Sequence, residues 1–394
     1  MRVLHLLDPA HAGDEGALAC AAALTIAGAG HEVWTVGDAH AERRAWALGI
    51  PSVVRIPERR GPLAPAAATA RLLRSLLRRH DVRPDIVQCY SLPMLALARR
   101  AVGERTPPRV GVVPHRPIPR AGRGAHAVAA DLEWATTAVL EAGARDILAP
   151  RSLSAIGRSR QADDLRVLEP PCFPPGGPPG VGRQAVRERL GLEPTDTAVG
   201  LLADPPWAGD AYRIAFALGL AKALTHRGVA VVRRGAAQER RAARFVRSQA
   251  RRWNIVLADL TLPELVAASD VLVLDAAGAP GAARPSAGPT ALSLAASMGV
   301  PVACAVGAEP TPGRAAHPPL LHAPSPVLGR VALPVVHWLE RPDLRVAHAA
   351  ALRAWAASAR ARDAYRRTLH ALWLEAANVP SPAEGLPTPT LLTA

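Results

Sequence analysis

Short apolar runs rich in Val, Ile and Leu alternate with Ala/Leu-rich helical stretches along most of this chain. That alternation constrains the fold more than any other feature, because strand–helix–strand units build a mainly parallel sheet covered on both faces. The first unit reads as a buried strand at Val3 to Leu7 and a turn through Asp8, Pro9, Gly13 and Gly16. A helix follows from Glu15 to Ala29, ended by Gly28 and Gly30. Val33 to Val36 is the second strand. Further units follow as helix Ala41 to Leu48, strand Ser52 to Ile56, and a helix from Pro65 to His80 with Leu72, Leu73, Leu76 and Leu77 on one face. Strand Asp85 to Val87, helix Pro93 to Val102 and strand Val110 to Val113 complete the series.

The segment from Glu169 to Gly180 is dense in Pro and Gly and holds neither a helix nor a central strand, since proline removes donors and fixes φ. It divides the chain into an N-terminal Rossmann-like α/β domain (1–168), a linker (169–181) and a second Rossmann-like domain (182–377), with a disordered tail at 378–394. The second series opens with a short helix at Val186 to Gly191. Strands Ala198 to Leu202, Val229 to Val232, Ile255 to Leu257, Val271 to Leu274 and Val302 to Val306 then alternate with helices near 209–226, 238–252, 262–268 and 289–298. From about Pro326 to Ala377 the chain reads as helices.

The length of 394 residues suits two domains, because single cores stop growing near roughly 250 residues. A formal charge of +14 invites anionic partners, but Lys222 is the only lysine, and a bias toward GC-rich codons accounts for much of the arginine excess. No Arg-rich tail or RNA-recognition motif accompanies it, so no nucleic-acid partner is expected. Cys20, Cys89, Cys172 and Cys304 stand singly, without metal-ligand spacing. Together with the lack of a signal-peptide pattern or a long apolar span, this predicts a cytoplasmic protein, with any membrane contact peripheral, on the anionic inner face.

Gly30-His31-Glu32-Val33 after the first helix resembles the opening of family 4-type glycosyltransferases of the GT-B fold. The order of later motifs adds to the likeness. Arg83-Pro84-Asp85-Ile86-Val87 resembles the family's strand before the cleft, and Val112-Val113-Pro114-His115 its strand ending in histidine. Val186 to Gly191, Leu262 to Leu265, Ala268 to Leu274, and Ala295 to Val302 resemble elements of its second domain. The resemblance implies two Rossmann-like domains facing a cleft, with an acceptor on the first and a nucleotide sugar on the second. It implies retaining transfer of a hexose, with no metal or other cofactor.

The resemblance makes His115 the candidate catalytic residue and Gly13, Arg233, Arg234, Arg284, Ser286, Gly288 and Thr290 candidate donor-binding residues. Gly288 lets a ligand approach the start of the helix at Pro289, where unpaired N–H groups suit phosphate. Acidic Asp14 and Glu15 would repel phosphate and are expected to cap a helix N-terminus instead. Departures from the pattern are as informative as matches. Ser286 and Leu294 stand where the family carries two glutamates, and Leu202 and Trp207 where it carries an Arg and a Lys on the diphosphate. Two readings follow: a glycosyltransferase, or a catalytically inactive GT-B-like binding or assembly protein.

Overall fold

The structure, a computed structural model, describes residues 1–37, 39–51, 54–56, 65–79, 83–102, 109–113, 136–140, 166–168, 171–174, 176–178, 181–202, 229–233, 255–276, 289–306, 321–323, 335–357 and 359–378. Two parallel sheets organise them. The first contains β1 (Arg2–Leu7), β2 (Gly30–Val36), β3 (Val54–Ile56), β4 (Ile86–Cys89), β5 (Arg109–Val113), β6 (Thr136–Leu140) and β7 (Arg166–Leu168), in the order β3-β2-β1-β4-β5-β6-β7. The second contains β8 (Ala198–Leu202), β9 (Val229–Arg233), β10 (Ile255–Ala258), β11 (Val271–Ala276), β12 (Val302–Val306) and β13 (Leu321–Ala323), in the order β10-β9-β8-β11-β12-β13. Described helices are α1 (Pro9–Ala23), α2 (Ala39–Ala47), α3 (Pro65–Arg79), α4 (Leu92–Val102), α5 (Arg183–Arg189), α6 (Leu262–Ala268), α7 (Pro289–Met298), α8 (Pro342–Ala357) and α9 (Ala359–Asn378). None is long and apolar enough to cross a membrane.

Successive side chains of a strand point to opposite faces, so a sheet packed on both sides needs apolar residues at every position. β1 meets that need everywhere in its buried run but at His5: Leu4 and Leu6 enter a core with Trp34, Leu73 and Leu95, while Val3 and Leu7 enter another with Leu18, Leu265, Leu294 and Trp373. The second cluster draws residues from both sheets, so one apolar core continues across the domain boundary.

α1 departs from the expected turn followed by a helix at Glu15 to Ala29. It begins at Pro9, whose ring suits a first helical position, and bends at Gly13 (φ 64°, ψ −173°), a conformation closed to side-chain-bearing residues. The expected loop is therefore a kink one residue wide. The helix also ends earlier, as the N–H groups of Thr25 and Ile26 turn to the carbonyls of Ala22 and Ala23. Strands β6, β7 and β13 are absent from the elements expected from sequence, while the expected helices near 209–226 and 238–252 and the tail beyond Asn378 lie outside the described residues.

Between the sheets, residues 171–174 and 176–178 are fastened to the second domain. Ser293 Oγ donates to the Pro171 carbonyl at 2.8 Å, Gly176 N–H to Ser297 O at 3.0 Å, and Cys172 Sγ to Ala356 O at 3.4 Å. Gly177, at φ 85°, lies flat against the Met298 side chain, where a Cβ would collide. α5 and α6 are joined by Arg187, which donates to the carbonyls of Ala268, Glu193 and Asp196 and to Asp270; Asp270 in turn accepts from Arg183 and from the Ala198 N–H.

α9 returns to the first sheet, packing on β4, β5, β7 and α1. Tyr365 donates to Ala19 O at 3.0 Å and Trp373 Nε1 to Gln88 Oε1 at 3.0 Å. Beneath Trp373 runs a buried polar chain. His31 Nε2 donates to the Ile26 carbonyl at 3.0 Å, His31 Nδ1 pairs with His5 Nε2 at 3.0 Å, and His5 Nδ1 pairs with the Tyr90 hydroxyl at 2.7 Å. Neutral His5 fits this chain, donating through one ring nitrogen and accepting through the other. Burial, followed by the proximity of His31, lowers its pKa from 6.5 to about 3, and burial pushes the Cys20 thiol beside Tyr90 up to about 12.

Because folding lowers the pKa of His5, the unfolded chain takes up a proton below about 6.5 that the folded chain refuses until about 3. Stability is therefore lost as pH falls through that window, by about 1.4 kcal/mol per unit from this residue. Chemical unfolding at pH 7.5, 6.0 and 5.0 should show a shallower acid slope in His5→Gln than in the parent; equal slopes would mean His5 is not neutral in the fold.

Candidate active site

Parallel sheets of this order take ligands beyond the carboxyl ends of the strands, at the point where the order reverses. That point lies between β1 and β4 in the first sheet and between β8 and β11 in the second. α1 follows β1, α7 follows β11, and the two helices touch. The helices leaving the two switch points thus meet at the domain boundary.

Pro289 opens α7 and Thr290 is its second residue. Thr290 is 0% exposed, and its Oγ1 has no hydrogen-bond partner among the described residues. It shares a helix face with Leu294, one turn nearer the N-terminus of α7. The first-turn N–H groups and the positive end of the helix dipole are adjacent, a combination able to hold an anion.

Across the boundary, Asp14 immediately follows the Gly13 kink. Its carboxylate is 1% exposed and receives Arg44 Nε and Nη2 at 2.5 and 3.0 Å. It also receives the Leu262 N–H, from the start of α6, at 2.6 Å. Asp14 does cap a helix N-terminus, but the helix belongs to the other domain. The remaining donors of α6 are satisfied locally: Glu264 N by Thr261 Oγ1, Leu265 N by Thr261 O, and Thr261 N by the Glu264 carboxylate. Burial alone would lower the pKa of Arg44, but the hydrogen bond and charge of Asp14, with Asp259 and Glu264, hold it above its ordinary value. Burial would likewise raise Glu264, yet the Thr261 N–H and Arg189 hold it below the usual carboxylate range.

Of the candidates from sequence, Gly13 is the kink of α1, Thr290 lies at the start of α7, and Arg233 ends β9 beside β8 and β10. His115, Arg234, Arg284, Ser286 and Gly288 lie outside the described residues, as does Trp207. Leu294 is 0% exposed within the core shared by the two sheets. Several arginines outside the candidates are spent on backbone carbonyls: Arg74 on Ala101 and Arg100, Arg183 on Ala267 and Ser269, Arg187 on Ala268. Arg44 carries no local signal in the sequence, since its partners on the second domain lie more than two hundred residues away.

No protein-family model matches the sequence, and no curated protein is significantly similar to it. Solved structures are. HepE from Anabaena, in complex with UDP and glucose, superposes with a TM-score of 0.65 at 15% identity, covering 95% of this chain and 100% of that one. A glycosyltransferase from Rickettsia africae gives 0.63 at 13% identity, covering 96% and 99%. WaaG, a glycosyltransferase involved in lipopolysaccharide biosynthesis, gives 0.56 at 16%, covering 94% and 99%. The chain has the GT-B fold.

A buried hydroxyl without a partner costs about 1–3 kcal/mol. Thr290→Val keeps the shape and removes the hydroxyl, so the ligand-free variant should unfold at higher denaturant, by about 1 kcal/mol. Reduced stability would mean that the hydroxyl is hydrogen-bonded in the free protein.

Proposed function

We propose that this chain is a retaining, metal-independent glycosyltransferase of the family 4 type, moving a hexose from a nucleotide sugar to an unidentified acceptor. The observation that carries this reading is the α7 N-terminus at the second switch point, with Thr290 buried and unpartnered among the described residues. Neighbouring folds lend support, since HepE is known in complex with UDP-glucose. In this reading residues 182–377 hold the donor and 1–168 the acceptor. Gly13 and α7 approach the diphosphate, with Arg233, Arg234, Arg284, Ser286 and Gly288 around it, and His115, two residues after β5, contacts the reacting sugar. The role of the protein is to support the departing diphosphate electrostatically. It works in the cytoplasm, in peripheral contact with an anionic membrane surface.

One observation favours a second reading, a GT-B-like binding or assembly protein without catalysis. Leu294 stands where the resemblance calls for a ribose-binding glutamate and is wholly buried in the core. No carboxylate is available from that position.

Titration with a panel of nucleotide sugars headed by UDP-glucose separates the two, with transfer measured in parallel. The transferase reading expects saturable binding of at least one donor. It also expects His115→Ala to keep that binding and its melting temperature while losing turnover about tenfold or more, roughly 1.4 kcal/mol. Binding with no turnover in the parent supports the non-catalytic reading; no binding of any nucleotide sugar sinks the first.

A further inference from the structure

The two sheets are joined covalently at residues 169–182 and again where α8 passes into α9. The first crossing is strapped to α7 and α8, and α9 is locked onto the first sheet by Tyr365 and Trp373. A third tie, made without covalent continuity, stands where α1, α2 and α6 meet. Asp14 and Arg44 pair within the first domain, so the carboxylate is already oriented when it meets the second. On α6, Pro263 has no N–H, and the N–H groups of Glu264 and Leu265 are satisfied by Thr261, which leaves the Leu262 N–H for a partner from outside. Asp14 Oδ2 takes it, while Arg44 Nη2 reaches the Leu260 carbonyl at 3.4 Å and Nη1 lies 3.8 Å from Asp259 Oδ1. Asp259 is 58% exposed, so one edge of the tie meets water, while the Asp14 carboxylate, 1% exposed, and the Leu262 N–H it receives are buried.

We infer that Asp14 and Arg44 form a latch between the domains, positioning residues that hold the Gly13 kink of α1 against the N-terminus of α6. The latch sets the spacing of the two switch points without any bound ligand. It does not depend on the transferase reading, because its groups are all supplied by this chain.

The test is amide hydrogen exchange at Leu262 together with small-angle scattering, on parent, Asp14→Ala, Arg44→Gln and Arg44→Lys proteins whose far-ultraviolet circular dichroism matches the parent. Leu262 exchange should rise at least tenfold in Asp14→Ala and Arg44→Gln, with a larger radius of gyration, and Arg44→Lys should restore both in part. Tyr365→Phe, which loosens α9, should lower melting temperature and leave Leu262 exchange as it is. Parental exchange and radius in folded Asp14→Ala or Arg44→Gln would overturn the latch, as would an equal effect from Tyr365→Phe. If Asp14→Ala does not fold, Asp14→Asn, which loses the charge and keeps one acceptor, is read by the same two measurements. Both readouts are independent of sugar transfer, so an inactive chain tests the latch as well as an active one.

Discussion

Every described strand of this protein pairs in parallel, and a parallel sheet has to be covered on both faces. That requirement shapes the rest. It makes β1 apolar on both sides, and it brings Ala- and Leu-rich helices over each face. It leaves the carboxyl ends of the strands as the place where backbone groups and loops are open to a ligand. Where strand order reverses, the helices that cover the sheet part company, and the two reversals lie at the elements through which the domains touch. The location of the site is thus a consequence of covering the sheets.

Much of this frame is legible in the sequence, and the reason can be read from individual elements. The second-domain elements 198–202, 262–268, 289–298 and 302–306 begin and end where the chain says they should. Thr261 and Glu264 form a reciprocal cap, and Pro289 suits the first turn it occupies. α1 is less legible, because Gly13 has the composition of a loop and the conformation of a single kink inside a helix. β7 and β13 are three residues each, too short to show a period, whereas β6 carries the β-branched run Thr136-Thr137-Ala138-Val139 that does signal a strand.

The polar contacts of the candidate site and of the core beneath Trp373 are less legible because their partners are distant in sequence. Asp14 and Leu262 are separated by 248 positions, Gln88 and Trp373 by 285, His5 and Tyr90 by 85. A composition rule cannot find such pairs. What it can find is the anomaly that requires them: a histidine in the otherwise apolar run Val3 to Leu7, or an aspartate directly after a glycine that opens toward another domain. The same distance misleads in the opposite sense for arginine. The formal +14 suggests a positive field, yet Arg44, Arg74, Arg183 and Arg187 are tied to carbonyls and carboxylates that the sequence does not place beside them.

Leu294 shows how the fold constrains side-chain choice on α7. On α7 it faces the core shared by both sheets, and an ionised carboxylate at that position would stand unpaired among apolar side chains. The apolar choice favours packing. It does not remove the backbone N–H groups of the first turn of α7, which no substitution other than proline can delete. Those N–H groups and the dipole of the helix give its N-terminus an affinity for anions that does not depend on the side chains around it.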